Sequence, residues 1–213
     1  MSKDSIIEST AANRMRIADL YDNTADELLD GPSLCRGWSL RTLLGHVVMP
    51  LASTPAQLLW HTLRTGSVHH ASTRIATRLG QRPVRELTTT LREGATRRIS
   101  TPALGPMGQF ADGCIHLNDA ARPLGLPSGV PLADWQNLLP WLPSQAAHRL
   151  GHVPEGLLDG LFWQATDVDW TYGEGPCVAG PAEALALAMT GRAVALLDLT
   201  GPGVPVLTGR LGA

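Results

Sequence analysis

Gly37-Trp38-Ser39-Leu40-Arg41-Thr42-Leu43-Leu44-Gly45-His46-Val47-Val48 is the stretch that decides how this chain is read. Ser39 follows the turn Cys35-Arg36-Gly37-Trp38 and fits an N-cap, because its hydroxyl can accept from a free N–H of the first helical turn. Leu40, Leu43, Leu44, Val47, Val48 and Leu51 recur at helical spacing, which reads as a buried face. His46 lies beside that face. A histidine there is ordinarily a satisfied core or cleft residue, so a functional reading needs partners from elsewhere.

Working outward, a partner set appears in Asp112-Gly113-Cys114-Ile115-His116-Leu117-Asn118-Asp119. Asp112 and His116 are at i and i+4, so on a helix both project from one face, one turn apart. Two imidazoles and one carboxylate from two helices are enough for a divalent cation with an open position. The bland alternative for Asp112 and His116 alone is an ordinary polar pair. Asp119, three residues after His116, has three roles open to it: accepting from the imidazole behind a ligand, serving as an alternative ligand, or pairing with Arg122. The first and last are preferred.

Composition narrows the classes. The chain has 213 residues, 44% hydrophobic and 17% charged, which suits a globular protein of one large or two small domains. A formal charge of −2 and the lack of any nucleic-acid motif give no reason to expect DNA or RNA binding. Cys35, Cys114 and Cys177 are widely spaced with no CxxC pair, which fits a reducing compartment and no disulfide framework. Residues 1–16 lack the apolar core of a signal peptide, and no apolar run is long enough to span a bilayer. A cytoplasmic protein is therefore expected. Low lysine with abundant Ala, Gly, Arg and Pro is compatible with a GC-rich, actinobacterial genome.

Along the chain, Ile6, Ile7, Met15, Ile17, Ala18, Tyr21, Ala25, Leu28 and Leu29 predict a first helix over 4–30, ended by Asp30-Gly31-Pro32. A second helix is predicted from Ser39 toward Leu63, stopping at Gly66, with a kink or break near Pro50 and Pro55. His69 and His70 are adjacent, so on a helix they point about 100° apart and read as a solvated or cleft-lining pair rather than ligands. Arg74, Arg78, Arg82 and Arg85 form a stripe that reads as a solvated face, with recognition of an anion as the alternative. Pro83 starts a third helix carrying Val84, Leu87, Leu91 and Ala95, and Met107 to Leu124 forms a fourth. Four helices with short to medium connections predict a bundle, with the metal between the second and the fourth.

After Pro127, Gly129 and Pro131 the character changes. Short helices are expected over 132–160. Leu161 to Asp167 and Val168 to Tyr172 have strand character and read as a hairpin or meander ending in Gly173-Glu174-Gly175. Pro181 starts a helix closed by Gly191. The division expected is residues 1–126 for the bundle and 127–213 for a small α+β domain, making the chain mainly α with an α+β appendage. Trp38, Trp60, Trp163 and Trp170 read as buried structural area. Cys114 reads as packing, and Cys35, in a loop, as an accessible thiol that needs a base beside it before it is a nucleophile.

Three motifs in order, GWSLRTLLGHVV (37–48), IHLNDAARPLGLP (115–127) and ATDVDWTYGEG with VAGPAEALALAMTGR (165–175, 178–192), resemble the mycothiol-dependent maleylpyruvate isomerase family, itself similar to the DinB-like metalloenzymes. The resemblance runs over nearly the whole chain. It implies a DinB-like four-helix bundle followed by a small sterol-carrier-like α+β domain. It also implies a metal triad of His, Glu and His: His46 and His116 fall on the histidines, and Asp112 falls where the family usually has Glu. The cosubstrate implied is the thiol mycothiol, and the implied catalytic arginine near the C-terminal end matches Arg192, with Arg210 as the other candidate. For Arg192 the structural alternative is a charge complementing a helix C-terminus.

The function expected is therefore a divalent-metal-dependent thiol transferase or isomerase acting on a small electrophile that bears a carboxylate. Zinc is the first expectation for the cation, although this donor set also admits iron, manganese, nickel or cobalt. The partners expected are a small-molecule substrate and a low-molecular-weight thiol, without nucleic acid or membrane, in a monomer or homodimer. A non-catalytic small-molecule- or partner-binding member is the alternative, motivated by the Glu-to-Asp departure and the short C-terminal part. Metal-dependent hydrolysis by a bound water ranks last.

Overall fold

The computed structural model describes residues 2–53, 68–99 and 105–212. The chain divides into two compact units, residues 1–101 with 112–129 and residues 102–111 with 130–213. It is mainly helical, with one small sheet among the described residues.

In the first unit, α1 (Lys3–Asp22) starts at Ser2, whose hydroxyl accepts from the Ser5 N–H at 3.2 Å. It ends well before residue 30. Asn23 donates from its side chain to the Asp19 carbonyl at 2.8 Å, and Thr24 to the Leu20 carbonyl at 2.7 Å. Polar side chains that bond nearby backbone close a helix. A 3₁₀ turn, Asp26–Leu28, follows, and Leu29 is still buried, so the apolar pattern outlasts the helix.

Helix α2 (Leu40–Ala52) starts as expected: Ser39 accepts from the Thr42 N–H at 3.2 Å. Leu40, Leu43, Leu44 and Val48 are buried. Pro50 has no N–H to offer the carbonyl one turn back, and the helix stops at Ala52. The predicted continuation through Pro55 to Leu63, and Trp60 with it, lies outside the described residues.

Helix α3 (Val68–Gly80) packs against α2. The crossing is close because both faces carry glycine. A Cβ on Gly45 would overlap the Ala76 carbonyl, and one on Gly80 would overlap the Arg41 carbonyl. Arg74, Arg78, Arg82 and Arg85 are all exposed, in line with a solvated face, as is His70; the His69 side chain lies outside the described set.

Helix α4 (Val84–Glu93) begins after Pro83 and buries Leu87 and Leu91 against α1 and α2. Arg92 bridges to Asp19 at 2.7 Å and Asp22 at 2.6 Å on α1, and Thr88 donates to Asp22 at 2.7 Å. Buried Arg14 donates from Nη1 to the carbonyls of Gly94, Ala95 and Arg97 at 2.8–3.0 Å, just past the α4 C-terminus. Helix α5 (Gly105–Ala121) runs on into a 3₁₀ turn, Arg122–Leu124. Its tie to α1 includes Asn13, which donates to the buried Cys114 sulfur at 3.3 Å.

The second unit holds α6 (Leu132–Leu138), α7 (Gln145–Arg149), β1 (Phe162–Ala165), β2 (Thr171–Tyr172), β3 (Cys177–Gly180), α8 (Ala182–Met189) and α9 (Val204–Leu211). The sheet order is β2-β1-β3. β1 pairs antiparallel with β2, Trp163 opposite Tyr172, as a hairpin would. It pairs parallel with β3, Trp163 opposite Val178, which the meander expectation did not foresee. Helix α8 is buried along its length apart from Glu183, and a 3₁₀ segment, Ala193–Asp198, packs on it. Trp135 and Trp163 are buried as area, whereas Trp170 stacks on Tyr172 with centroids 6.4 Å apart.

Candidate metal centre

The site is built in the first unit, where α2 meets residues 112–121 of α5. The His46 and His116 rings approach edge to face with centroids 4.9 Å apart and planes at 85°. Asp112 Oδ1 lies 3.8 Å from His116 Nε2. One donor atom from each of His46, Asp112 and His116 lies within 4.8 Å of the other two. Such spacing lets small side-chain motions bring all three to one ion at about 2.0–2.2 Å. The donor set of two neutral nitrogens and one carboxylate oxygen suits a borderline divalent cation.

Each imidazole is held on its other nitrogen. His46 Nδ1 is 3.4 Å from Ser72 Oγ on α3, and the ring rests against Trp38 with centroids 4.9 Å apart. His116 Nδ1 is 2.9 Å from Asp119 Oδ2, and Asp119 is fully buried. A carboxylate behind a histidine fixes the ring and the tautomer, leaving Nε2 directed at Asp112 and His46. Of the Asp119 roles weighed from sequence, this contact fits the acceptor behind an imidazole, while its closeness to Cys35 and His116 leaves the ligand role open as well.

The loop ahead of α2 brings in a residue that sequence spacing could not place. Leu34 N–H donates to the Asp119 carbonyl at 3.1 Å. Ser33 Oγ accepts from Cys35 N–H at 3.2 Å and donates to the Trp38 carbonyl at 2.9 Å. Trp38 N–H closes the turn on the Cys35 carbonyl at 2.9 Å, with Gly37 at φ 80°, a left-handed value that favours glycine. The half-buried Cys35 sulfur ends 3.1 Å from Asp119 Oδ2 and 3.7 Å from His116 Nδ1. Nothing in the periodicity of the sequence marks Cys35 or Ser72; only tertiary packing carries them here.

The electrostatics favour positive charge. Burial alone would lower the His116 pKa, but the Cys35 sulfur and the Asp119 carboxylate outweigh it and push it up to about 10. The Tyr21 hydroxyl, buried and donating to the Leu40 carbonyl at 2.8 Å, is pushed upward by burial and then by Cys35 and Asp119.

Arg192 belongs to the second unit, where its Nη1 donates to the Thr190 carbonyl at the α8 C-terminus. Arg210, on α9, donates to the Leu157 carbonyl at 3.0 Å.

Comparison with known proteins follows the same lines. The family described as the mycothiol maleylpyruvate isomerase N-terminal domain matches residues 10–124, more than half of the chain. The chain belongs to this family. Two solved structures are similar over 95% of this chain and 93% of theirs. One is a histidine-to-alanine mutant of the mycothiol-dependent maleylpyruvate isomerase, with a TM-score of 0.63 at 13% identity. The other is the mycothiol-dependent maleylpyruvate isomerase itself, at 0.58 and 14%. At such identities the likeness establishes a shared fold. No curated protein matches the sequence. Among the described residues, no helix is long and apolar enough to cross a membrane.

Proposed function

We propose that this protein is a divalent-metal-dependent enzyme that uses mycothiol to isomerise, or to transfer sulfur to, a small electrophile bearing a carboxylate. The observation that carries the reading is the convergence of His46, Asp112 and His116 within 4.8 Å, in a chain of the mycothiol maleylpyruvate isomerase family. Zinc is the first cation to try. The cation would lower the pKa of a thiol at an open position, so that sulfur is nucleophilic at neutral pH.

The chain's own residues supply the rest. Asp119 accepts from His116 Nδ1 and keeps the Nε2 lone pair available for ligation. Ser72 and Trp38 hold the His46 ring against the same point. Asp112, one methylene shorter than glutamate, supplies the carboxylate oxygen from one turn before His116, 3.8 Å from its Nε2. The thiol loses its proton, and its sulfur forms a bond to the electrophilic carbon. In isomerisation the adduct rotates about the former double bond and expels the sulfur, so no thiol is consumed. In transfer the carbon–sulfur bond stays, and the neighbouring carbon takes up the proton that the thiol released. Arg192 is the proposed cationic partner of the substrate carboxylate.

The test is turnover of maleylpyruvate by zinc-loaded protein with mycothiol, with a different low-molecular-weight thiol, and with none. Catalysis that depends on both metal and mycothiol supports the proposal, and Arg192→Gln then raises KM for a carboxylate substrate. Turnover without thiol would instead indicate hydrolysis. A rate equal to that in buffer for a panel of carboxylate electrophiles would indicate a binding protein.

A further inference from the structure

We infer that the protein carries a second cation site, selective for a thiophilic divalent metal, made by Cys35 Sγ, His116 Nδ1 and Asp119 Oδ2. These three donors are a group distinct from His46, Asp112 and His116, sharing only the His116 ring and using its opposite nitrogen.

The edges of the donor triangle are 3.1 Å from sulfur to oxygen, 3.7 Å from sulfur to nitrogen and 2.9 Å from nitrogen to oxygen. Its centre is about 1.9 Å from each corner, so a cation at the usual 2.0–2.3 Å from such ligands sits just off the plane. Metal bonds need no remodelling of the fold here: the contacts that now run through two protons would run through one ion. The donors are also preorganised. Asp119 is fully buried, its carbonyl fixes Leu34, and the hydroxyl of Ser33 and the N–H of Trp38 lock the Cys35 turn. Cys35 itself is half-buried, which gives a cation a way in from solvent.

The mixed sulfur, nitrogen and oxygen set prefers cadmium or zinc to magnesium, calcium or manganese, because thiolate is a soft ligand. On binding, the Cys35 thiol proton and the proton between His116 Nδ1 and Asp119 leave to solvent. A neutral imidazole offers a single lone pair for ligation. A cation on Nδ1 therefore leaves the proton on Nε2 and removes His116 from the first donor set. The two sites exclude each other, and a thiophilic metal captured at Cys35 switches the first site off. This inference does not depend on the reaction proposed above.

The experiment is a cadmium titration of the purified full chain, followed by the ultraviolet sulfur-to-cadmium charge-transfer band and by cadmium content after gel filtration. The wild type is expected to develop the band and to saturate at one cadmium. Cys35→Ser and Cys35→Ala, each checked by circular dichroism for a native fold, should lose at least nine-tenths of the band. His46→Ala and Cys177→Ser should keep it, and Asp119→Asn should weaken cadmium binding on the order of tenfold or more. The inference is overturned by no band in the wild type, by a band undiminished in both Cys35 variants, or by two cadmium ions bound together. It is equally overturned if His46→Ala removes the band, since Cys35 would then be an extra ligand of the first site.

Discussion

At the residue scale, the site rests on which nitrogen of each histidine is left to serve as a donor. Asp119 decides this for His116 and Ser72 for His46. Replacing Asp119 by Asn is expected to lower zinc affinity by about 10–100-fold with the fold retained, measured by competition against a chelating dye. Asp112→Ala is expected to abolish stoichiometric zinc, while Asp112→Glu retains it, since the longer side chain only adds reach. An Asp112→Ala protein that binds zinc as tightly as the wild type would remove the carboxylate from the donor set. The pairing of Asp112 with His116 is legible from sequence because i,i+4 spacing on a helix is a local property. The approach of His46 to them is not local; the apolar stripe and the family motifs together point to it. Cys35 and Ser72 had no local signature, since a loop thiol and a helix hydroxyl show no period.

At the element scale, α2 carries His46 and is positioned by two contacts with different physics. One is steric. Gly45, next to His46, lets the α3 backbone approach, so Gly45→Ala is expected to cost about 1–3 kcal/mol and to move His46 away from Ser72. Urea denaturation and the zinc affinity of the same variant check both effects.

The other is electrostatic and ties α1 to α4, on which α2 also packs. Burial would raise the Asp22 pKa, but the bonds from Arg92 and Thr88 and the charge of Arg92 hold it below the ordinary carboxylate value. A depressed folded-state pKa stabilises the protein above the unfolded carboxyl value of about 4, and the contribution disappears as pH falls through the folded value. Asp22→Asn is therefore expected to lower Tm by about 1–3 °C at pH 7, with the difference closing as pH falls below the unfolded carboxyl value of about 4. A difference independent of pH would assign the effect to packing.

Helix starts were readable at this scale because Ser39 and Pro83 act on their own first turns. The end of α1 at Asp22 is not readable in the same way, because Leu28 and Leu29 continue the apolar spacing past Asn23. The parallel pairing of β1 with β3 is illegible in the sequence for a related reason. Cys177–Gly180 is short and carries small residues, so its strand identity comes from its neighbour rather than from its own sequence.

At the scale of the whole molecule, the fold class followed from a shift in composition near Gly125–Pro131, all-helical before and mixed after, and from motifs in family order. A bundle that gathers donors from α2 and α5 links metal binding to the stability of the first unit. Zinc at about 100 times its dissociation constant should stabilise that unit by about 2.7 kcal/mol, and a chelator should reverse the shift. Differential scanning calorimetry with and without zinc reads this directly.

Whether His46, Asp112 and His116 hold one cation is read from zinc content after dialysis at fixed free zinc, in Cys35→Ser protein, where only the first donor set can bind. About one zinc per chain is expected, falling to none when His46→Ala or His116→Ala is added. Zinc absent from the Cys35→Ser protein, or unaffected by either histidine substitution, would contradict it.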